Sequence, residues 1–368
     1  MIKDITGRQA IILVAIVMCA TKFFILPSNL LAVGGQNVVY VMIFFFVIEF
    51  LLLLVLVRIS MLHPDKTFYT LLQESIGTFF AKFVHLLFFA FFIVKILINI
   101  VETYTFFLGT LYDEFSPLLF TIPLLFLIFY MTYIGLRSIG RCSELLWVFV
   151  LAGLSISFFT ALPNVDLSYM LPIFENGPSD ALTALSKNIM WFGDYFVYLF
   201  FMGKIRFKEN YFRNIALTTL IVFLAVVVFI MVIHCLFPYT ASLIHYGVSD
   251  ITQTNTRVTN VGKLDWLNVT VWTFACLIQT VIFSHCAEEC LSKVFNIKSK
   301  ATSCLVSLVF VVVGLYLLQF NLVTLIHIAQ SPLRFLFWIL LFVVFNIATL
   351  HFVLRFRKRK RKKVVLND

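Results

Sequence analysis

Charge is scarce in this sequence. Asp, Glu, Lys and Arg make up 12% of its 368 residues, against about 25% in a soluble domain. Length alone would suggest two soluble domains, but there is too little polar surface to coat them. The composition is instead 61% hydrophobic, with 44 Phe residues that cost nothing when they face lipid. It points to one continuous all-α membrane domain over residues 1–354.

Catalytic signatures are missing too. There is no G-x-S-x-G, no G-x-x-x-x-G-K-[ST] and no H-E-x-x-H, so no enzyme and no cofactor are expected. The seven cysteines are odd in number and mostly lie inside apolar runs, which argues against a disulfide framework. Cys286 and Cys290 beside His285 would put three metal-type ligands at one helix end. No second ligand cluster accompanies them, so they are read as helix-packing residues and no metal is expected. A cleavable signal is not expected either. The first apolar run, 9–32, is too long for a signal h-region and should remain as the first membrane helix.

A span needs roughly 20 apolar residues. Ten runs qualify, near 9–32, 38–58, 79–111, 117–134, 143–162, 180–203, 213–237, 264–290, 302–321 and 332–354. With the N-terminus inside, 22 of the 28 Lys and Arg residues fall in cytoplasmic segments, as the positive-inside rule requires. Only Lys187, Arg257, Lys263 and Arg334 fall outside, while Lys22 and Lys95 lie within helices. The count and the orientation, with both termini cytoplasmic, follow together. The net charge of +10 does not point to nucleic acid, because much of it sits in the tail, 355–368. Eight of the nine residues 355–363 are basic and serve as a topology anchor that also meets anionic membrane lipids. The outer loops are acidic or polar, with Asp113 and Glu114, then Asp166, Glu175 and Asp180, then the long connection near 238–262.

Two helices contain breaks. Helix 1 has Thr21-Lys22 near its middle and Pro27-Ser28-Asn29 just after. Proline removes a donor and disfavours helix at the residue before it. Helix 6 has Trp191-Phe192-Gly193-Asp194 at membrane depth. Interruptions at corresponding places in two five-helix halves, about 9–162 and 180–354, mark a five-plus-five inverted repeat and a midplane binding site. The plainer alternative is that Pro27 and Gly193 are ordinary kinks.

Charges at bilayer depth cost roughly 2.5–3.5 kcal/mol on insertion scales and need partners. Helix 3 carries Lys95, Asn99 and Glu102 on one face. Helix 8 carries Asp265, Asn268, Trp272 and Gln279, and helix 6 carries Lys187, Trp191 and Asp194. Helices 1 and 2 add Lys22 and Glu49. Glu49 and Glu102 are read as buried ion pairs holding the bundle in register, and Lys22 and Asp194, at the breaks, as functional. Asp265, near a helix end, is either functional or simply hydrated.

Several stretches resemble the spore germination protein family of amino-acid permease type, the B subunit of nutrient germinant receptors, across nearly the whole chain. They are Ile5-Thr6-Gly7-Arg8-Gln9, Leu26-Pro27, Gly34-Gly35-Gln36-Asn37, His63-Pro64 and Gly77. Tyr133-Ile134-Gly135-Leu136 through Gly140-Arg141-Cys142-Ser143-Glu144 is the most specific. Leu171-Pro172-Ile173-Phe174-Glu175-Asn176-Gly177, Gly193-Asp194, Gly262, Leu264-Asp265 and Trp272 follow in order. The resemblance implies a member of the amino acid–polyamine–organocation superfamily, with about ten transmembrane helices in a five-plus-five repeat and helices 1 and 6 interrupted. It implies a spore inner membrane location, a small nutrient ligand such as an amino acid, and A-type and lipoprotein C-type partner subunits. An amino-acid or amine transporter is the alternative. The ligand would touch Thr21, Lys22, Phe24, Ile25, Lys95, Asn99, Trp191, Gly193, Asp194 and Asn268, with Pro27, Glu49, Glu102, Asp265 and Trp272 in structural or gating roles. Where the family's first break has small residues, this chain has Ala20 and Lys22. That ammonium would either stand where a transporter's coupling cation sits or pair with Asp194.

Overall fold

The computed structural model describes residues 4–110, 116–172, 177–241 and 265–347, with positions 247, 251 and 349. Most of the outer connection near 238–262, the acidic pair 113–114, the end of helix 10 and the tail 355–368 lie outside the described residues.

Hydropathy alone shapes most of the helices. Apolar runs such as Asn37–Leu62 are hydrophobic all round, the pattern of a helix that meets lipid on one side and protein on the other. Its 26 residues rise roughly 39 Å at 1.5 Å each, enough to cross the hydrocarbon core. In chain order the helices are α1 (Gly7–Cys19), α2 (Leu26–Gly34), α3 (Asn37–Leu62), α4 (Phe68–Ile76), α5 (Thr78–Thr110), α6 (Pro117–Ile134) and α7 (Leu136–Ala161). Then come α8 (Ser179–Lys187), α9 (Val197–Phe201), α10 (Tyr211–Leu236), α11 (Asp265–Phe295), α12 (Lys300–Leu318), α13 (Leu322–Gln330) and α14 (Arg334–Ile347).

Seven of these, α3, α5, α6, α7, α10, α11 and α12, are long and apolar enough to cross a membrane unbroken. Two more spans are bent pairs, α1 with α2 at 57° and α13 with α14 at 47°. Segment 6 runs from α8 to α9 and is interrupted over 188–196. The protein is a multi-pass membrane protein whose segments 1 and 6 are broken. Phe44, Val47 and Leu51 on α3, and Leu118, Ile122 and Phe126 on α6, are exposed to what would be lipid.

Two features differ from the expected layout. Segment 10 begins at Leu322, not near 332, and bends at Ser331. Thr324, His327 and Gln330 make its first half look like a loop, but Leu325 and Ala329 are buried, and Gln330 Nε2 donates to Asn188 Oδ1 at 3.0 Å. The short helix α4, capped by Thr67 accepting from the Thr70 N–H, packs Phe68 and Leu72 beneath the bundle.

The stretches singled out in the sequence meet in pairs. Gln9 Nε2 donates to Glu144 Oε2 at 3.1 Å, and a Cβ on Gly140 would stand 3.3 Å from the Gln9 side chain. At the other end of the bundle, Gln36 Nε2 donates to the Pro172 carbonyl at 3.1 Å and Asn37 Nδ2 to the Gly177 carbonyl at 3.3 Å. A two-residue parallel ladder joins Ile5–Thr6 (β1) to Ile205–Arg206 (β2), tying the start of segment 1 to the end of segment 6.

Candidate ligand site between the two breaks

Segment 1 loses its α-helix at Cys19. Ala20–Phe23 continue as a 3-10 turn and Phe24 leaves helical geometry altogether. Helix α2 then restarts with Pro27 in its first turn, where a missing N–H costs nothing. Segment 6 breaks more sharply. Helix α8 ends at Lys187, Ile189–Trp191 form a 3-10 turn, and Phe192 is extended. Gly193 takes a left-handed conformation at φ +76°. A Cβ there would also stand 2.5 Å from the Phe337 ring, so both backbone and space call for glycine.

The breaks face each other, and their charges converge. Lys22 Nζ donates to Asp194 Oδ2, while Lys95 Nζ, from α5, donates to Asp194 Oδ1 at 2.7 Å. All three side chains are almost wholly buried. Two ammoniums thus share one carboxylate in a low-dielectric interior, where only paired and hydrogen-bonded charges persist. Aromatic rings complete the enclosure: Lys22 Nζ lies 5.6 Å from the centre of Phe192, and Lys95 Nζ lies 5.6 Å from that of Phe91.

The two buried glutamates do a different task from the expected one. Glu49 Oε1 accepts the Gly193 backbone N–H at 2.8 Å, and Glu102 Oε1 accepts Trp191 Nε1–H at 2.6 Å. Each carboxylate holds one side of the segment 6 break, and neither closes an ion pair among the described residues. A break frees backbone donors, and Glu49 answers one of them.

The expected faces of segments 3 and 8 meet. Asn99 Nδ2 donates to the Cys276 carbonyl at 3.0 Å and to Gln279 Oε1 at 3.2 Å. Gln279 Nε2 passes the link on to the Val17 carbonyl at 2.9 Å and to Thr21 Oγ1 at 3.4 Å. One amide side chain therefore ties α5, α11 and the first break. Gln279 belongs among the site residues, and its place one helical repeat beyond Trp272 on the polar face of helix 8 was the signal for it. Phe23 belongs too, since its ring centre lies 4.8 Å from that of Trp272. No polarity pattern marks it.

Of the expected site residues, Thr21, Lys22, Phe24, Ile25, Lys95, Asn99, Trp191, Gly193 and Asp194 come together, buried, around the breaks. Pro27, Glu49, Glu102 and Trp272 are buried around them. The side chains of Asp265 and Asn268 lie outside the described residues. Lys187 does not share the face of Trp191 and Asp194. The helix ends at Lys187, so helical spacing no longer applies, and Lys187 is exposed.

Comparison with known proteins bears on this geometry. A family model described as "Spore germination protein" matches residues 4–325. No curated protein matches the chain significantly. Similar solved structures include MhsT in complex with L-phenylalanine, at 14% identity and a TM-score of 0.63, covering 89% of this chain and 87% of that one. A Na+-coupled sialic acid symporter in a substrate-bound outward-open state aligns at 13% identity and a TM-score of 0.60, covering 93% and 80%. A manganese transporter from Eremococcus coleocola aligns at 10% identity and a TM-score of 0.54, covering 90% and 74%. At these identities the likeness shows the fold, a transporter-type bundle with inverted repeats.

Proposed function

The chain belongs to the spore germination protein family, and from that premise we propose that it is the nutrient-sensing B-type subunit of a germinant receptor. It binds a small amino-acid-like molecule beside the breaks of segments 1 and 6. It sits in the spore inner membrane with both termini cytoplasmic, alongside A-type and lipoprotein C-type subunits. Occupancy stabilises one of two arrangements of the bundle, and the partner subunits read the shift.

The observation that carries this reading is the Lys22–Asp194–Lys95 cluster. An ion-coupled transporter has to release its cation to complete a cycle. Here the ammonium on the break's carboxylate is covalently part of the chain and cannot leave. That supports sensing over ion-driven uptake. The test is Lys22→Met in spores. The nutrient response is expected to disappear with protein levels unchanged. Spores that germinate normally with the substitution would remove Lys22 from the mechanism.

The second reading is an amino-acid or amine transporter. It is favoured by the company the fold keeps, since the structural neighbours include a symporter and a metal transporter. Saturable, gradient-driven accumulation of labelled amino acids by proteoliposomes containing this chain alone would decide for it.

A further inference from the structure

Buried polar atoms in folded proteins almost always have a partner. Among the described residues a few have none, and Glu102 Oε2, an acceptor, and Trp272 Nε1–H, a donor, are two of them. Both side chains are at most 2% exposed.

The helix register brings these two atoms onto facing turns. Segments 3 and 8 have opposite parity, so α5 and α11 run antiparallel. Asn99 bonds to Cys276 and Gln279, which fixes their register. One turn further along α5 is Glu102 and two turns further is Phe106. The corresponding step on α11 leads from Cys276 to Trp272. Phe24, from the first break, bridges the two turns, with its ring centre 4.9 Å from Phe106 and 6.3 Å from Trp272. Trp191 closes the remaining side by donating to the other Glu102 oxygen.

On this register a carboxylate with one oxygen unpartnered among the described residues bonds to Trp191 and stands on the turn facing Trp272, with Phe24 and Phe106 alongside. Carboxylate plus aromatic faces is the chemistry that receives an organic ammonium. The indole N–H across from it suits an oxygen acceptor on the same molecule. Resting on the sensing reading above, we infer that Glu102 receives the ammonium of a small primary-amine nutrient, and that Trp272 Nε1 donates to an oxygen of that molecule. The Lys22–Asp194–Lys95 cluster is then the floor beside the ligand, not its amine-binding group, because both Asp194 oxygens are already taken.

Thermal stabilisation of the full-length protein in lipid nanodiscs tests this. The probes are L-alanine, L-valine, L-leucine and L-phenylalanine, each paired with the 2-hydroxy acid that replaces its ammonium by hydroxyl. At least one amino acid is expected to stabilise the wild type while its hydroxy acid does not. Glu102→Gln keeps an oxygen for Trp191 but loses the charge, and is expected to weaken that binding at least tenfold. Trp272→Phe is expected to weaken it several-fold. Equal binding of amino acid and hydroxy acid by the wild type overturns the proposal whether or not the variants fold. So does a Glu102→Gln protein that binds within twofold of wild type; in both cases the sensing reading stands. If no probe binds the wild type, the sensing reading falls and takes this proposal with it.

Discussion

Lys22 and Asp194 are 172 residues apart in the chain, yet they meet at the junction of the two interrupted segments. Asp194 also holds Lys95, so the two partners are not equivalent. Asp194→Asn leaves two buried ammoniums without the carboxylate that they share. Stripping one partner from a buried pair costs about 3–5 kcal/mol, and this change strips the partner of two. It is expected to fail to accumulate in membranes. Lys22→Met leaves a neutral Lys95–Asp194 pair and is expected to accumulate near the wild-type level. Immunoblotting of membrane fractions compares them, and equal accumulation would contradict a shared carboxylate.

Gly193 is held by both conformation and space. Gly193→Ala forces a side chain into left-handed geometry and against Phe337. Strain at such a position costs about 1–3 kcal/mol, before any overlap is counted. The melting temperature in nanodiscs is expected to fall, and Phe337→Ala, itself destabilising because that ring is buried, should cost less in the Gly193→Ala background than in the wild type, because it relieves the overlap. Additive losses in the double variant would count against the contact.

Gln279 serves three elements with one amide. Gln279→Leu fits the volume but takes a donor from the Val17 carbonyl and an acceptor from Asn99 Nδ2. An unsatisfied buried group costs about 1–3 kcal/mol. A lowered melting temperature is expected, together with faster hydrogen exchange at the first break. Unchanged exchange around residues 17–23 would show that Gln279 does not hold that break.

The turn after segment 6 carries Lys204, whose Nζ donates to Glu289 Oε2 at 2.6 Å. Burial alone would lower this lysine, but attraction to Glu289 and the hydrogen bond outweigh it and hold the ammonium above the ordinary lysine value. The pair's stabilisation is therefore fully present below pH of about 10.4, the ordinary lysine value, and is lost as pH rises through the higher folded value. The melting-temperature gap between wild type and the double variant Lys204→Met, Glu289→Gln should be constant up to about pH 10 and shrink above it. A gap that widens there would reverse the assigned sign.

Much of this was legible before any coordinates. Apolar length gave segments such as α3 and α10, because lipid asks only for twenty apolar residues and satisfied backbone. Pro27 and Gly193 marked both breaks, since proline is tolerated only in a helix's first turn and glycine takes the left-handed conformation most easily. Lys95 and Asn99 face the interior, as their spacing implies. What escaped depended on partners that no one-dimensional pattern encodes. Glu49 looked like half of an ion pair, but its partner is a backbone N–H made available by the break at Gly193. Lys187 looked like part of a stripe because helical spacing was assumed across a stretch where the helix had already ended. Helix α13 was missed because its apolar run is short and is interrupted by Thr324, His327 and Gln330.

The two interrupted segments are fastened twice. The β1–β2 ladder clasps the start of one to the end of the other. Near the other end, Gly34 of α2 approaches α8 so closely that an added Cβ would lie 2.8 Å from the Ala181 backbone. A pair of rods held at both ends resists sliding and scissoring. While both fastenings hold, the joints left for bending are in the middle, at Phe24–Ile25 and Phe192–Gly193. On the sensing proposal, a small molecule lodged there would work as a wedge in a keystone: it would change the angle between the half-helices, and the elements fastened to them would tilt with it.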